Sequence, residues 1–148
     1  MSSQPTSKPC QFCAIVAGLE PAYVVFEDEL ALGFLDARPL FPGHVLLIPR
    51  VHYETIAEPP GALLGPLFGS MQLISQAVES AMKAEGSFVA INNRVSQSVP
   101  HLHIHIVPRR KKDGLKGFFW PRNPYKSASE MEDVQRAIRA AVRSKLRP

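Results

Sequence analysis

In the stretch SVPHLHIHIVPRR, residues 98–110, histidines stand at 101, 103 and 105 with Leu102, Ile104 and Ile106 between them. An extended backbone would put these three imidazoles on one face and the aliphatic side chains on the other. One histidine on a strand is usually a packing residue; three in strict alternation beside an apolar set point to chemistry. Two kinds fit. Imidazole is a zinc ligand, and a zinc ion with an open position activates water. Alternatively, one ring attacks phosphorus while its neighbours bind the phosphate oxygens and orient it. Residues two apart in a strand are about 6.5–7 Å apart, so His101 and His105 diverge, which weighs against one ion held by all three. A second reactive pair is Cys10 and Cys13, the only cysteines. In a reducing compartment C-x-x-C points to metal or redox chemistry rather than to a structural disulfide.

The elements that must position these residues are legible as patterns. The stretches Ala22–Glu27 and Leu30–Asp36, broken by Asp28-Glu29, predict a β-hairpin. His44–Pro49 (HVLLIP), entered through the turn-forming Pro42-Gly43, predicts a nearly continuous apolar strand. Gly86–Asn92 and His101–Pro108 complete five strands, and the mostly short connections predict an antiparallel sheet. Between the third and fourth strands, Gly61–Glu85 carries apolar residues at helical spacing, with Pro66 predicting a start or a kink near it. A second helix is expected after Ser129, whose spacing to Glu132 matches a capping box, running to about Leu146. Lys111–Gly117 reads as a turn into Phe118-Phe119-Trp120.

A chain of 148 residues suits one domain with a real core. No apolar run approaches the roughly 18 residues that span a bilayer, and the polar Met1–Pro9 lacks a basic segment followed by an apolar one. The expectation is a cytoplasmic protein that does not engage a membrane, with residues 1–9 as a flexible tail. The net charge of +4 is uneven: residues 1–108 carry 5 Lys/Arg against 9 Asp/Glu, and residues 109–148 carry 12 against 4. A basic end favours anionic ligands, but Lys and Arg in a tail are usually just solvated, and that is the expectation here.

The segments CQFCAIVAG, FLDARP, PGHVLLIPRVH and QSVPHLHIHIVPR, within residues 10–110, together resemble the histidine triad (HIT) superfamily. The resemblance implies an α+β domain with a five-stranded antiparallel sheet and two helices, expected to form a homodimer. Residues 111–148 would be an extension of the same domain, a basic and aromatic loop followed by a helix. It implies a nucleotide hydrolase acting at the α-phosphate of purine nucleoside phosphoramidates or dinucleoside polyphosphates. His103 would be the nucleophile, forming a covalent nucleotidyl-histidine; His105 would bind the phosphate oxygens, His44 would support the triad, and Ser98 would assist the leaving group. Asp36 would hold the ribose, and Phe12, Ile15 and Phe34 would form the slot for the base. Asn92, Asn93 and Gln97 lie in a loop shortened relative to many relatives and would be the polar contacts to nucleotide. Cys10, Cys13, His52 and His101 would hold a structural zinc ion, a closed Cys2His2 set, and no organic cofactor is expected.

The alternatives are a dinucleoside tetraphosphate phosphorylase or nucleotidyltransferase, and a nucleotide-binding interaction module with little catalysis. Relatives of the transferase kind commonly carry glutamine at the third triad position, so His105 favours hydrolysis. A nucleic-acid role is disfavoured, since no second cysteine/histidine finger follows the domain and a basic tail alone is weak evidence.

Overall fold

A computed structural model describes residues 9–115 and 122–146. The elements, in chain order, are α1 (Gln11–Val16), β1 (Val24–Glu27), β2 (Ala31–Leu35), β3 (Val45–Pro49), α2 (Gly61–Met82), β4 (Gly86–Ala90), β5 (Ile104–Arg109) and α3 (Ala128–Leu146). The five strands form one antiparallel sheet in the order β1-β2-β3-β5-β4. The chain divides into two compact units, one ending at Asp113 and one beginning at Gly114.

In the first unit β3 lies at the centre of the sheet and is buried along its whole length, because both faces of the sheet are covered. Val45 and Leu47 join Ala31, Ile104 and Ile106 against Leu67, Ile74 and Val78 of α2. Leu46 and Ile48 join Leu32 and Phe34 on the opposite face against Phe12 of α1. A strand with alternating roles on two buried faces has no polar side, which is why HVLLIP reads as a continuous apolar run.

Three local details differ from the sequence expectations. Ladder pairing of the last strand starts at Ile104, opposite Leu47, so His101 to His103 form an extended lead-in outside the ladder. Its hydrogen bonds go elsewhere: the Leu102 amide donates to the Tyr53 carbonyl at 2.6 Å and the His101 amide to the Val99 carbonyl at 2.8 Å. Helix α2 begins at Gly61 and contains Pro66, one lost backbone hydrogen bond that its packed apolar face outweighs. In the second unit α3 begins two residues earlier than expected. Its cap is Ser127, whose Oγ accepts from the Glu130 amide at 3.1 Å, an S-x-x-E two residues before the pair singled out above. None of the described residues of α3 is buried. There is also a third helix, the short α1, too brief to show periodicity. Phe118, Phe119 and Trp120 lie outside the described residues, as do residues 1–8 of the expected tail. Among the described residues no helix is long and apolar enough to cross a membrane.

Candidate active site and metal centre

The alternation in HLHIHI divides two environments. Leu102, Ile104 and Ile106 are fully buried in the core against α2, while the three imidazoles fall on the other side, each with its own surroundings. His101 stands in a metal-type cluster, His103 packs edge-on to Phe12 with ring centroids 5.2 Å apart, and His105 meets His44 of the neighbouring strand. His105 pairs with Leu46 across the β3–β5 ladder, which brings His44, one residue before β3, beside it.

Hydrogen bonding fixes the tautomers. The His103 Nδ1 faces the His101 carbonyl at 2.7 Å. A carbonyl only accepts, so Nδ1 is the donor, and in the neutral ring the free lone pair is on Nε2. His44 is set the other way: the Leu40 amide donates to its Nδ1 at 3.1 Å, so in the neutral ring the proton sits on Nε2. That Nε2–H donates to His105 Nδ1 at 3.0 Å, which leaves His105 with a proton on its own Nε2. The Leu40 amide thus sets, through two rings, an N–H donor on His105, while the His101 carbonyl separately orients His103, whose ring stands 4.9 Å from that of His105.

Burial pushes the pKa of His105 from its ordinary 6.5 down to about 4, helped by neighbouring His103 and His44 and opposed by Asp36. Burial also lowers His44, with the Asp36 carboxylate, 3.7 Å from its Nε2, pulling the other way. Both rings are therefore neutral near pH 7.

These groups border a cavity of about 280 Å3. Phe12, Ile15, Phe34, Asp36, Ser98, His103 and His105 line it together. His44 stands behind His105 and supports it. The structure does not bring Asn92, Asn93 and Gln97 into the lining. The Asn93 Oδ1 accepts from the Ile56 amide at 3.0 Å. Gln97 accepts from the Arg94 amide at 2.8 Å and donates to the Glu54 carbonyl at 2.7 Å. The amides of Asn93 and Gln97 thus tie the 93–98 loop to residues 54–56 and thereby place Ser98, with Arg94 and Ser96 in left-handed conformations along it. Sequence reasoning missed Arg38, Leu46 and Val99 in the lining, and the Leu40 amide and Pro49 carbonyl that set ring tautomers. Only Arg38 left a readable signal, an arginine two residues after Asp36.

The second cluster joins Cys10, Cys13, His52 and His101, whose donor atoms all lie within 4.8 Å of one another. Cys10 caps α1, its sulfur accepting from the Cys13 amide at 3.4 Å, so the short helix sets both sulfurs at one end. The Nε2–H of buried His101 donates to the Pro49 carbonyl at 2.9 Å, turning its Nδ1 lone pair toward the sulfurs at 3.4 and 3.6 Å and toward His52 Nδ1 at 3.2 Å. Cys13 and His52 are 3.3 Å apart. A tetrahedral ion with metal–sulfur bonds near 2.3 Å and metal–nitrogen bonds near 2.0–2.1 Å sets its ligands about 3.3–3.8 Å apart. Donor types, tautomer and these four separations fit such an ion.

Residues 18–112 match the HIT domain family. The chain belongs to that family. It is 35% identical over 117 residues to the Adenylylsulfatase HINT3 of Arabidopsis thaliana, a stretch that is 78% of this chain and 59% of that relative. It is also 35% identical over 92 residues to the asymmetrical bis(5′-nucleosyl)-tetraphosphatase of Schizosaccharomyces pombe, covering 61% of this chain and 50% of that protein. The chain thus spans between half and about three-fifths of the length of these two HIT relatives. Among solved structures, a Zn-bound histidine triad family protein from Mycobacterium smegmatis superposes with a TM-score of 0.69 at 36% identity, over 93% of this chain and 97% of that one.

Proposed function

We propose that this HIT protein is a nucleotide hydrolase that acts at the α-phosphate of purine nucleoside 5′-phosphoramidates or dinucleoside polyphosphates. The observation that carries the reading is His103, whose Nδ1–H is committed to the His101 carbonyl, so that the lone pair of the neutral ring is on Nε2, in a cavity also lined by Asp36, Ser98 and His105. Named activities of the two relatives, an adenylylsulfatase and a tetraphosphatase, support a phosphorus centre joined to a nucleoside.

In this reading Asp36 accepts hydrogen bonds from the ribose hydroxyls and Phe12, Ile15 and Phe34 hold the base. The His103 Nε2 lone pair attacks phosphorus, forming an N–P bond as the bond to the leaving nitrogen or oxygen breaks, and that atom leaves with the electron pair and takes up a proton. His105 Nε2–H donates to a phosphoryl oxygen as its charge grows, and Ser98 assists the leaving group. Water then adds to phosphorus, the N–P bond breaks, the water's proton is lost, and the nucleoside monophosphate departs. Cys10, Cys13, His52 and His101 would hold a zinc ion, and a Cys2His2 set of four protein ligands would give it a structural role rather than that of supplying a nucleophile. His101 then anchors both the zinc and, through its carbonyl, the nucleophilic ring. The protein acts as a cytoplasmic homodimer, which light scattering checks as a mass twice 16.3 kDa.

The deciding experiment follows nucleoside monophosphate release from an adenylated amine and from diadenosine tetraphosphate. His103→Ala should lower kcat at least about 1,000-fold while nucleotide still binds. Residual turnover within tenfold of the parent would refute covalent catalysis at His103.

A further inference from the structure

The residues lining the cavity include one carboxylate, Asp36, and one residue of the Lys/Arg type, Arg38. The Arg38 amide donates to Asp36 Oδ1 at 2.9 Å, which keeps the two charged residues in fixed register. The side chain of Arg38 is exposed, and among the described residues its guanidinium has neither a hydrogen bond nor an ion pair. Arg38 is the one Lys/Arg side chain, and so the one permanent positive charge, among the described residues lining the cavity.

We propose that Arg38 forms an anion subsite at the ribose end of the cavity, selecting nucleotides that carry a second phosphate on the 2′- or 3′-oxygen. The proposal rests on Asp36 binding the ribose, as described above. A carboxylate beside a ribose selects free hydroxyls, and an arginine near it accommodates a phosphate instead, because the guanidinium offers a planar pair of donors to two phosphate oxygens. With both residues present, the arginine also offsets the repulsion that Asp36 would exert on such a phosphate. The cavity, at about 280 Å3, lies at the lower end of the roughly 300–1,000 Å3 of small-molecule sites. One mononucleotide fills a space of that size, so an added ribose phosphate projects to the mouth, where the exposed Arg38 can reach it on its flexible stem. A second phosphate on the 5′ chain would instead extend from the reacting phosphorus.

Calorimetric titration of the full-length protein with AMP, ADP, adenosine 2′,5′-bisphosphate and adenosine 3′,5′-bisphosphate tests this. In the parent protein at least one bisphosphate should bind roughly tenfold tighter than AMP, the scale of a charge-assisted contact at an exposed site. That preference should fall to about one in Arg38→Ala, take an intermediate value in Arg38→Lys, and shrink as salt is raised. AMP binding with no preference for either bisphosphate, or a preference that survives Arg38→Ala, overturns the subsite and leaves the nucleotide cavity standing. ADP bound tighter than AMP while neither bisphosphate is preferred also overturns it, because the charge then reads the 5′ chain. Binding of none of the four overturns the subsite and the nucleotide reading together.

Discussion

At the scale of single residues, the site depends on which ring nitrogen carries a proton, and backbone groups decide that. The Leu40 amide and the His101 carbonyl impose opposite tautomers on His44 and His103, and His105 inherits its own from His44. Keeping His44 and His105 neutral in a buried place has a consequence for stability. His105 is pushed down to about 4 in the folded chain, while in the unfolded chain it titrates near 6.5. Above 6.5 neither state binds the proton and nothing is lost. As pH falls through 6.5 toward 4 the unfolded state takes up protons that the folded state does not, so stability declines across that window. His44, lowered in the same direction, adds to the decline. Urea midpoints should therefore be lower at pH 5 than at pH 7.5, and His105→Gln should show a smaller drop; equal drops in parent and variant would remove His105 as a cause. The three histidines of the triad were legible as a set from spacing alone. The backbone groups that set their tautomers were not, because those groups lie elsewhere in the chain, the Pro49 carbonyl 52 residues from His101.

At the scale of elements, β3 and the turn before it carry the burden of positioning. Gly43 has φ +96°, in the left-handed region that favours glycine, and a Cβ there would come within 2.6 Å of Met82 Cγ and 3.3 Å of Pro108. Gly43→Ala should cost about 2 kcal/mol, read from urea unfolding, because strain at positive φ adds to crowding at the end of α2. Turnover should fall with it, since His44 follows directly. An unchanged midpoint would show that the turn relaxes. Turn chemistry made this position readable in Pro42-Gly43, and the hairpin, β3 and α2 were equally plain from their apolar patterns. The late start of β5 was not: β3 runs two residues past Leu47, the partner of Ile104, yet the lead-in donates to the Pro49 and Tyr53 carbonyls outside the ladder. Helix α1 was invisible because six residues are too few for a period, and its cap is a cysteine rather than the usual Ser, Thr, Asp or Asn.

At the scale of the whole molecule, the metal cluster ties the chain's beginning to the triad strand, joining Cys10 and Cys13 to His52 and to His101, 91 residues beyond Cys10. One zinc per chain is the expected elemental analysis of purified protein, and prolonged chelation should lower Tm by several degrees, since closing so long a loop stabilises the folded state. Cys13→Ser should remove the metal and reduce the effect of the chelator to nothing. Metal retained at full stoichiometry in that variant would exclude this cluster. The sequence by itself determined the two chemistries on offer, the apolar strands and long helices, and a family resemblance strong enough to sort five histidines into two groups. Residue type and short-range period carry that information, because they are properties of neighbours along the chain. Tertiary structure decided the rest: that Asn93 and Gln97 brace a loop and do not line the cavity, that Arg38 does line it, and which nitrogen of each ring is free. Those outcomes depend on carbonyls and amides brought in from distant segments, and an isolated residue type does not encode which backbone group will stand opposite it.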